Sequence, residues 1–238
     1  MARVTSVIIN GTVGNMVLYQ RMGKTYARLK REGIKQTHAT KMRSENFGIA
    51  SRAAKYLRKG LQAVIPIETD RSMQSRFSGA IAKWLRLSKI DALAPCDTAP
   101  HISGFQFSGG DGFSERFRVP VTVSKVDDRL MTVVIKDFIP AKHIIAPPGT
   151  LMIELVVAVA GSILKTGMPS GSSVQRMQVP YNNEAIASQV LQFPVPSPAG
   201  SLTIAAAWLQ YYVLKNNRIS RSENPDFMPA AVINARYN

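Results

Sequence analysis

Residues 202–214 read LTIAAAWLQYYVL, a run with no charged side chain. A continuous apolar run has no periodicity of its own, so the local pattern fits a buried helix or a buried strand equally. The residues on its carboxyl side decide between them. Lys215-Asn216-Asn217-Arg218 is a compact polar turn and Ile219-Ser220-Arg221 a short return segment, which is the plan of a β-hairpin. Taken as a strand, the run makes the carboxyl-terminal half a β domain.

The neighbouring sequence extends that reading. Candidate strands lie at 117–123, 130–136, 151–159, 174–179, 190–193, 202–213 and 231–235, separated by Gly, Pro, Asp and Asn. About seven short strands spaced by turn signals predict an antiparallel sandwich. The most apolar segment, LMIELVVAVAGSIL at 151–164, carries Glu154 and Gly161. It falls short of the roughly 20 residues needed to span a bilayer, so a buried strand is expected and no membrane span. Residues 91–104 (DALAPCDTAPHISG) hold two prolines and no period. They are read as a linker between a hairpin-plus-helices region, 1–90, and a β-rich sandwich-like domain, 105–238.

The amino-terminal stretch GTVGNMVLYQRMGKTYARLKR, 11–31, predicts two strands, 15–20 and 25–29, around Met22-Gly23-Lys24, where glycine permits the positive φ of a tight loop. Alternation places Val17, Tyr19 and Arg21 on one face of the first strand, and Tyr26, Arg28 and Lys30 on one face of the second. A helix is expected from Thr37 or Thr40 to Leu61. Its apolar stripe is Phe47, Ala50, Ala54, Leu57, Leu61 and Val64, and Lys41, Arg52, Lys55 and Lys59 fall within about 60° of one another on the opposite side. Glu45 is the one acid on this helix, so i,i+4 charge pairing is missing. Asp70 is a candidate N-cap for a second helix reaching about Ser88, with Met73, Phe77, Ala80, Ile81, Trp84 and Leu87 buried and Arg71, Arg76, Lys83 and Arg86 on the polar side. Gly79 costs about 1 kcal/mol against Ala there. Close helix packing is one account of it. The fold class is therefore α+β: an N-terminal β-hairpin and two amphipathic helices, then an antiparallel sandwich-like domain.

Thirty Lys and Arg against fifteen Asp and Glu give a net charge of +15 and a pI near 10.2. The excess is uneven: residues 1–60 hold 13 basic and 2 acidic side chains, whereas residues 101–238 hold 12 and 9. Concentrated charge of this kind points to a polyanionic partner, nucleic acid first, then anionic lipid or acidic glycan. The candidate phosphate contacts are Arg21, Lys24, Arg28, Lys30, Arg31, Lys41, Arg52, Lys55 and Lys59, with Tyr19 and Tyr26 as stacking platforms. Solvated outer faces of a strand and a helix are the competing account of the same residues.

Catalysis finds little support. The single cysteine, Cys96, excludes an internal disulfide, and His38, His101 and His143 are too scattered for a zinc motif. Cys96 with His101 lacks an orienting third group. Gly109-Gly110-Asp111-Gly112 has no following GK[ST] and reads as a turn; Asp127-Asp128 reads as an exposed acidic turn. No metal or cofactor is expected, and the chain is read as a non-enzymatic binding protein. The first eleven residues hold no signal-peptide pattern. That predicts a cytoplasmic protein, or a virion component if the gene is phage-derived.

The pattern Gly11-x-x-Gly14-x-x-x-x-Tyr19-x-x-x-Gly23-Lys24-x-x-x-Arg28, then Thr37 and Arg43-Ser-x-Asn46-Phe47-Gly48-x-Ala50-Ser51, resembles an uncharacterised bacterial family common in Bacteroidota. The resemblance implies an architecture only: a glycine-rich basic hairpin, a helix, and a β-rich remainder ending near Arg221-Ser222-Glu223. Two other functions stay open. One is a structural or assembly protein of phage or mobile-element type, a homo-oligomer in which the hairpin pairs with a neighbouring subunit. The other is a glycan-binding sandwich using Trp208, Tyr211 and Tyr212.

Overall fold

The computed structural model describes residues 10–30, 37–66, 72–88, 95–96, 98–215 and 217–238. Contacts divide the chain into two units, Met1–Lys41 and Met42–Asn238. The first holds a three-stranded antiparallel sheet of β1 (Gly11–Val13), β2 (Met16–Arg21) and β3 (Lys24–Leu29), in that order. The sequence pattern does not reveal β1, which is only three residues long. Arg21 pairs with Lys24 across a two-residue loop in which Met22 and Gly23 both take positive φ, 51° and 72°. Two positive φ angles in succession match the twist of the flanking strands.

The second unit is built on a large antiparallel sheet of β6 (Thr150–Ile163), β7 (Pro169–Pro180), β9 (Ser201–Lys215), β10 (Arg218–Arg221) and β11 (Ala230–Tyr237). The order is β10-β9-β6-β7, and β11 shares with β10 the other side of β9. A smaller sheet has the order β4-β5-β8, from Val121–Lys125, Leu130–Ile135 and Gln189–Pro194. Residues 202–214 are thus strand, and the expected α+β, sandwich-like architecture is present.

The lack of alternation in β6 and β9 has a direct cause. Val156, Ala158, Ala160, Ile204, Ala206 and Trp208 enter one core together with helices α1 (His38–Gly60) and α2 (Met73–Leu87). Their sequence neighbours Leu155, Val157, Val159, Ala205, Ala207, Leu209 and Tyr211 enter a second core with Met131, Val133, Ile135 and Phe193 of the small sheet. A strand covered on both faces has no polar face to alternate with. The small sheet is an outer layer, and β4 and β8 do alternate.

Both helices occupy the expected segments, with shifted faces. Thr37 Oγ1 accepts a hydrogen bond from the Thr40 amide at 3.2 Å, capping α1. Ala50, Ala53, Ala54 and Leu57 are buried on α1, but Phe47 is 57% exposed and leaves the predicted stripe. On α2 the buried face is Met73, Phe77, Ile81, Trp84 and Leu85; Leu87 is on the outside. The Asp70 cap and Arg71 lie outside the described residues.

The segment read as a linker is not a gap between two cores. Cys96 and Tyr237 exchange backbone hydrogen bonds at 2.9 and 3.0 Å, and the Gly104 and Phe107 amides donate to Val232 and Ala230 of β11. Ala99, Ile102 and Phe107 are buried in the helix-side core. Proline-rich composition breaks the period there, yet small and apolar side chains still let the segment follow a strand edge. The glycine-rich 109–112 turn leads into a four-residue helix, α3 (Phe113–Arg116), and Arg116 binds the Asp111 carboxylate. A further single turn, α4 (Pro140–His143), precedes β6. Among the described residues no helix is long and apolar enough to cross a membrane.

Candidate polyanion interface

In the first unit, strand register sorts the side chains. Cross-strand partners in an antiparallel pair point to the same side. Tyr19 pairs with Tyr26, Val17 with Arg28, and Arg21 with Lys24, so Tyr19, Arg21, Lys24, Tyr26 and Arg28 share one face. The tyrosine rings stack at 5.6 Å with 22° between planes. The Arg28 guanidinium sits 5.8 Å from the Tyr19 ring centre. The other face carries Val13, Met16, Leu18, Ala27 and Leu29. Apart from Gln20 and Thr25 near the loop it is apolar, and Val13 is 59% and Leu29 68% exposed. Lys30 follows β3, its amide bonded to the Asn15 carbonyl, and its side chain is exposed. Lys41 is exposed in the first turn of α1. Arg31 lies outside the described residues.

In the second unit the predicted ridge of α1 divides. Arg52, Lys55 and Lys59 lie opposite the buried alanines, and all three are exposed. Arg52 lies against Gly167, where an added Cβ would stand 2.9 Å from the Arg52 Cβ, and borders a cavity of about 610 Å³ that Glu45 also lines. Lys55 and Lys59 border a different cavity of about 690 Å³, together with Arg58 of the same helix and with Arg176, Trp208 and Arg221 of the large sheet. Arg58 Nε donates to the Ala54 carbonyl at 3.3 Å. The Arg221 guanidinium lies 4.6 Å from the Trp208 ring centre, a cation–π contact.

Behind this cavity a small polar network sits on the same sheet face. Glu154, paired across the sheet with Gln210, has a buried side chain with Arg176 Nη1 at 3.5 Å. The Tyr212 hydroxyl donates to Glu154 Oε2 at 3.1 Å, and Gln210 Nε2 donates to the Tyr212 oxygen at 3.3 Å. Burial, and then the Glu154 charge, push the Tyr212 hydroxyl above the usual tyrosine range. The Trp208 indole N–H is buried and has no acceptor among the described residues.

Arg58, Arg176 and Arg221 were not among the residues selected from sequence. Arg58 falls about 100° off the α1 ridge. The two strand arginines acquire a common face with α1 only through the sheet order, although alternation in VQRMQV does separate Arg176 from Val179. Among the described residues none of the sequence-selected cations forms an ion pair with a carboxylate; the pairs found are Arg116–Asp111, Lys125–Asp128 and Arg176–Glu154. Trp208, Tyr211 and Tyr212 do not form one platform. Tyr211 belongs to the core under the small sheet and donates to the Ile145 carbonyl at 3.0 Å, while its two companions face the other way. Cys96 is held in its backbone bridge, and His101 is an exposed turn residue with φ of 70°. Among the described residues no group of three or more His, Cys, Asp or Glu is placed to hold a metal ion.

No family profile matches the chain, and no curated protein matches it. Among solved structures, a calcium-binding mutant of Bacteroides uniformis β-glucuronidase 2 matches 52% of this chain at 11% identity and a TM-score of 0.26, and the match spans 13% of that enzyme's chain. A protein from Archaeoglobus fulgidus matches 50% of this chain and 94% of its own, at 6% identity and a TM-score of 0.25. Scores this low carry no inference about fold or activity.

Proposed function

We propose that the chain is a non-enzymatic polyanion-binding protein whose basic amino-terminal region holds nucleic acid, mainly through its phosphates. The supporting observation is the segregation of the first sheet: Arg21, Lys24 and Arg28 share one exposed face with two stacked tyrosines, and the opposite face holds none of the sheet's cations. A face of this composition contacts phosphates with its cations and offers aromatic surface to unpaired bases, each stacked base being worth about 1–3 kcal/mol. Binding displaces condensed counterions, so affinity falls with salt and depends weakly on sequence. Lys30, Lys41, Arg52, Lys55 and Lys59 supply further exposed cations.

The test is fluorescence anisotropy with a labelled single-stranded oligonucleotide of about 20 nucleotides, from about 50 to 200 mM salt, the range over which phosphate contacts weaken most visibly. Wild-type protein is expected to bind with a steep salt dependence. Replacing Arg21, Lys24 and Arg28 together by Gln should shallow the log K against log[salt] slope by about 2, the loss of three single-strand phosphate contacts. Absence of binding at the lowest salt sinks the reading.

Assembly is the second reading, favoured by the uncovered apolar face of the same sheet, where Val13, Met16 and Leu29 are exposed. Light scattering across a wide range of concentration separates the two: a constant monomer mass removes self-assembly.

A further inference from the structure

Three features of the cavity between the carboxyl end of α1 and the large sheet are left over from the nucleic-acid reading. It gathers Lys55, Arg58, Lys59, Arg176 and Arg221, and among the described residues Glu154 is the one carboxylate paired with any of them. Cations in the last turn of a helix complement its dipole, which accounts for Arg58 and Lys59. It does not account for Arg176 and Arg221, which arrive from strands on opposite sides of the sheet. The second feature is the buried Trp208 N–H, a donor with no acceptor among the described residues, on a ring that lines the same cavity. The third is shape: at about 690 Å³ the hollow is in the size range of small-ligand sites.

We infer that this cavity is a binding site for a small phosphate-bearing molecule carrying at least two negative charges. Five like charges around one hollow repel one another, and a polyvalent anion relieves that repulsion where a single buried carboxylate does not. Arginine supplies planar forks for phosphate oxygens and lysine supplies point charges. Arg176 and Arg221 are held in place before any ligand arrives, the first by Glu154 and the second by the Trp208 ring. The cavity's volume of about 690 Å³ is sufficient for a compact phosphate-bearing ligand. Lys55 and Lys59 also belong to the proposed nucleic-acid surface, but this inference stands on Arg176, Arg221 and Trp208, which do not.

Isothermal titration of the full chain with inorganic pyrophosphate and with ADP at low salt tests it, with Trp fluorescence as a second readout. The expected result is saturable one-to-one binding of at least one of the two ligands, accompanied by a change in Trp208 emission. Arg221→Gln should weaken that binding at least tenfold, whereas Arg129→Gln, on the far turn before β5, should leave it unchanged. Arg176→Gln breaks the contact to buried Glu154 and can unfold the protein, so Lys59→Gln, at an exposed position, is the independent second variant and should weaken binding severalfold. The inference is overturned if neither ligand binds, or if binding is indifferent to both Arg221→Gln and Lys59→Gln. It is equally overturned if these variants impair only binding of the oligonucleotide, which would make the cavity part of the nucleic-acid surface. Loss of oligonucleotide binding on replacing Arg21, Lys24 and Arg28, with pyrophosphate binding intact, would leave the two sites distinct.

Discussion

Tyr211 and Tyr212 are adjacent in sequence and point to opposite faces of β9, and the consequences for their hydroxyls differ. Tyr212 reaches the cavity side and donates its proton in a hydrogen bond to Glu154. Tyr211 is enclosed beneath the small sheet, bonded to the Ile145 carbonyl, and burial raises its ionisation well above the ordinary tyrosine range, against a smaller opposing pull from Arg116. An unfolded tyrosine titrates at about 10. Below that pH both states keep the proton and the stability associated with Tyr211 is fully present. As pH rises beyond it the unfolded chain loses the proton while the folded chain holds it, so stability falls. Tyr211→Phe should therefore lower stability by about 1 kcal/mol near neutral pH, through the lost hydrogen bond. It should also make the decline above about pH 10 shallower than in the wild type, measured by urea denaturation at each pH. An alkaline decline equally steep in both proteins would show that Tyr211 is not held protonated by burial.

At the scale of elements, two helical glycines that the sequence does not distinguish differ in their surroundings, and one of them governs helix docking. Gly60 ends α1 against the large sheet, where an added Cβ would stand 2.7 Å from Ala160 Cβ and 3.1 Å from Ser172 Cβ. Gly79 lies within α2 with open space around it, so the close packing offered as its explanation is not there. Gly60→Ala should force the helix end off the sheet and cost about 1–3 kcal/mol. Gly79→Ala should stabilise by about 0.5–1 kcal/mol through helix propensity alone. Chemical denaturation of the two variants reads both, and equal effects would remove the distinction. The contrast marks how far local pattern reaches. Helices, turns and the strands of the carboxyl-terminal half were legible because each leaves a local signal, such as the stripe of α1 or the Lys215–Arg218 turn. Which sheet face receives Arg176 and Arg221, and which glycine meets a neighbouring strand, depend on pairing between strands far apart in the chain. Phe47 shows the same limit: it has the right spacing for the stripe, yet it is exposed while Ile49, two residues on, packs against the helix-side core.

For the whole molecule, a large share of the charge lies in a part of the chain that the two cores do not use. Among the described residues, both hydrophobic cores are built beyond Lys41, from Ala50 to Ala235. Residues 1–36 contain seven of the thirty basic side chains and one acid, a net +6 of the +15. A truncated chain beginning at Thr37 keeps the cap of α1, since the Thr40 amide bonds to the Thr37 hydroxyl. It also keeps every buried side chain of the two cores. Its melting temperature should therefore stay within a few degrees of the full chain, a shift of about 1 kcal/mol or less. Its affinity for the oligonucleotide should fall at least tenfold at low salt with a shallower salt slope, because about six net charges are gone. Pyrophosphate binding, which uses side chains of α1 and the large sheet, should survive the truncation. A truncated protein that melts far below the full chain would mean that the first unit contributes to folding. One that binds the oligonucleotide as tightly as before would move the nucleic-acid surface off the Tyr19–Tyr26 face and onto the cations of the second unit.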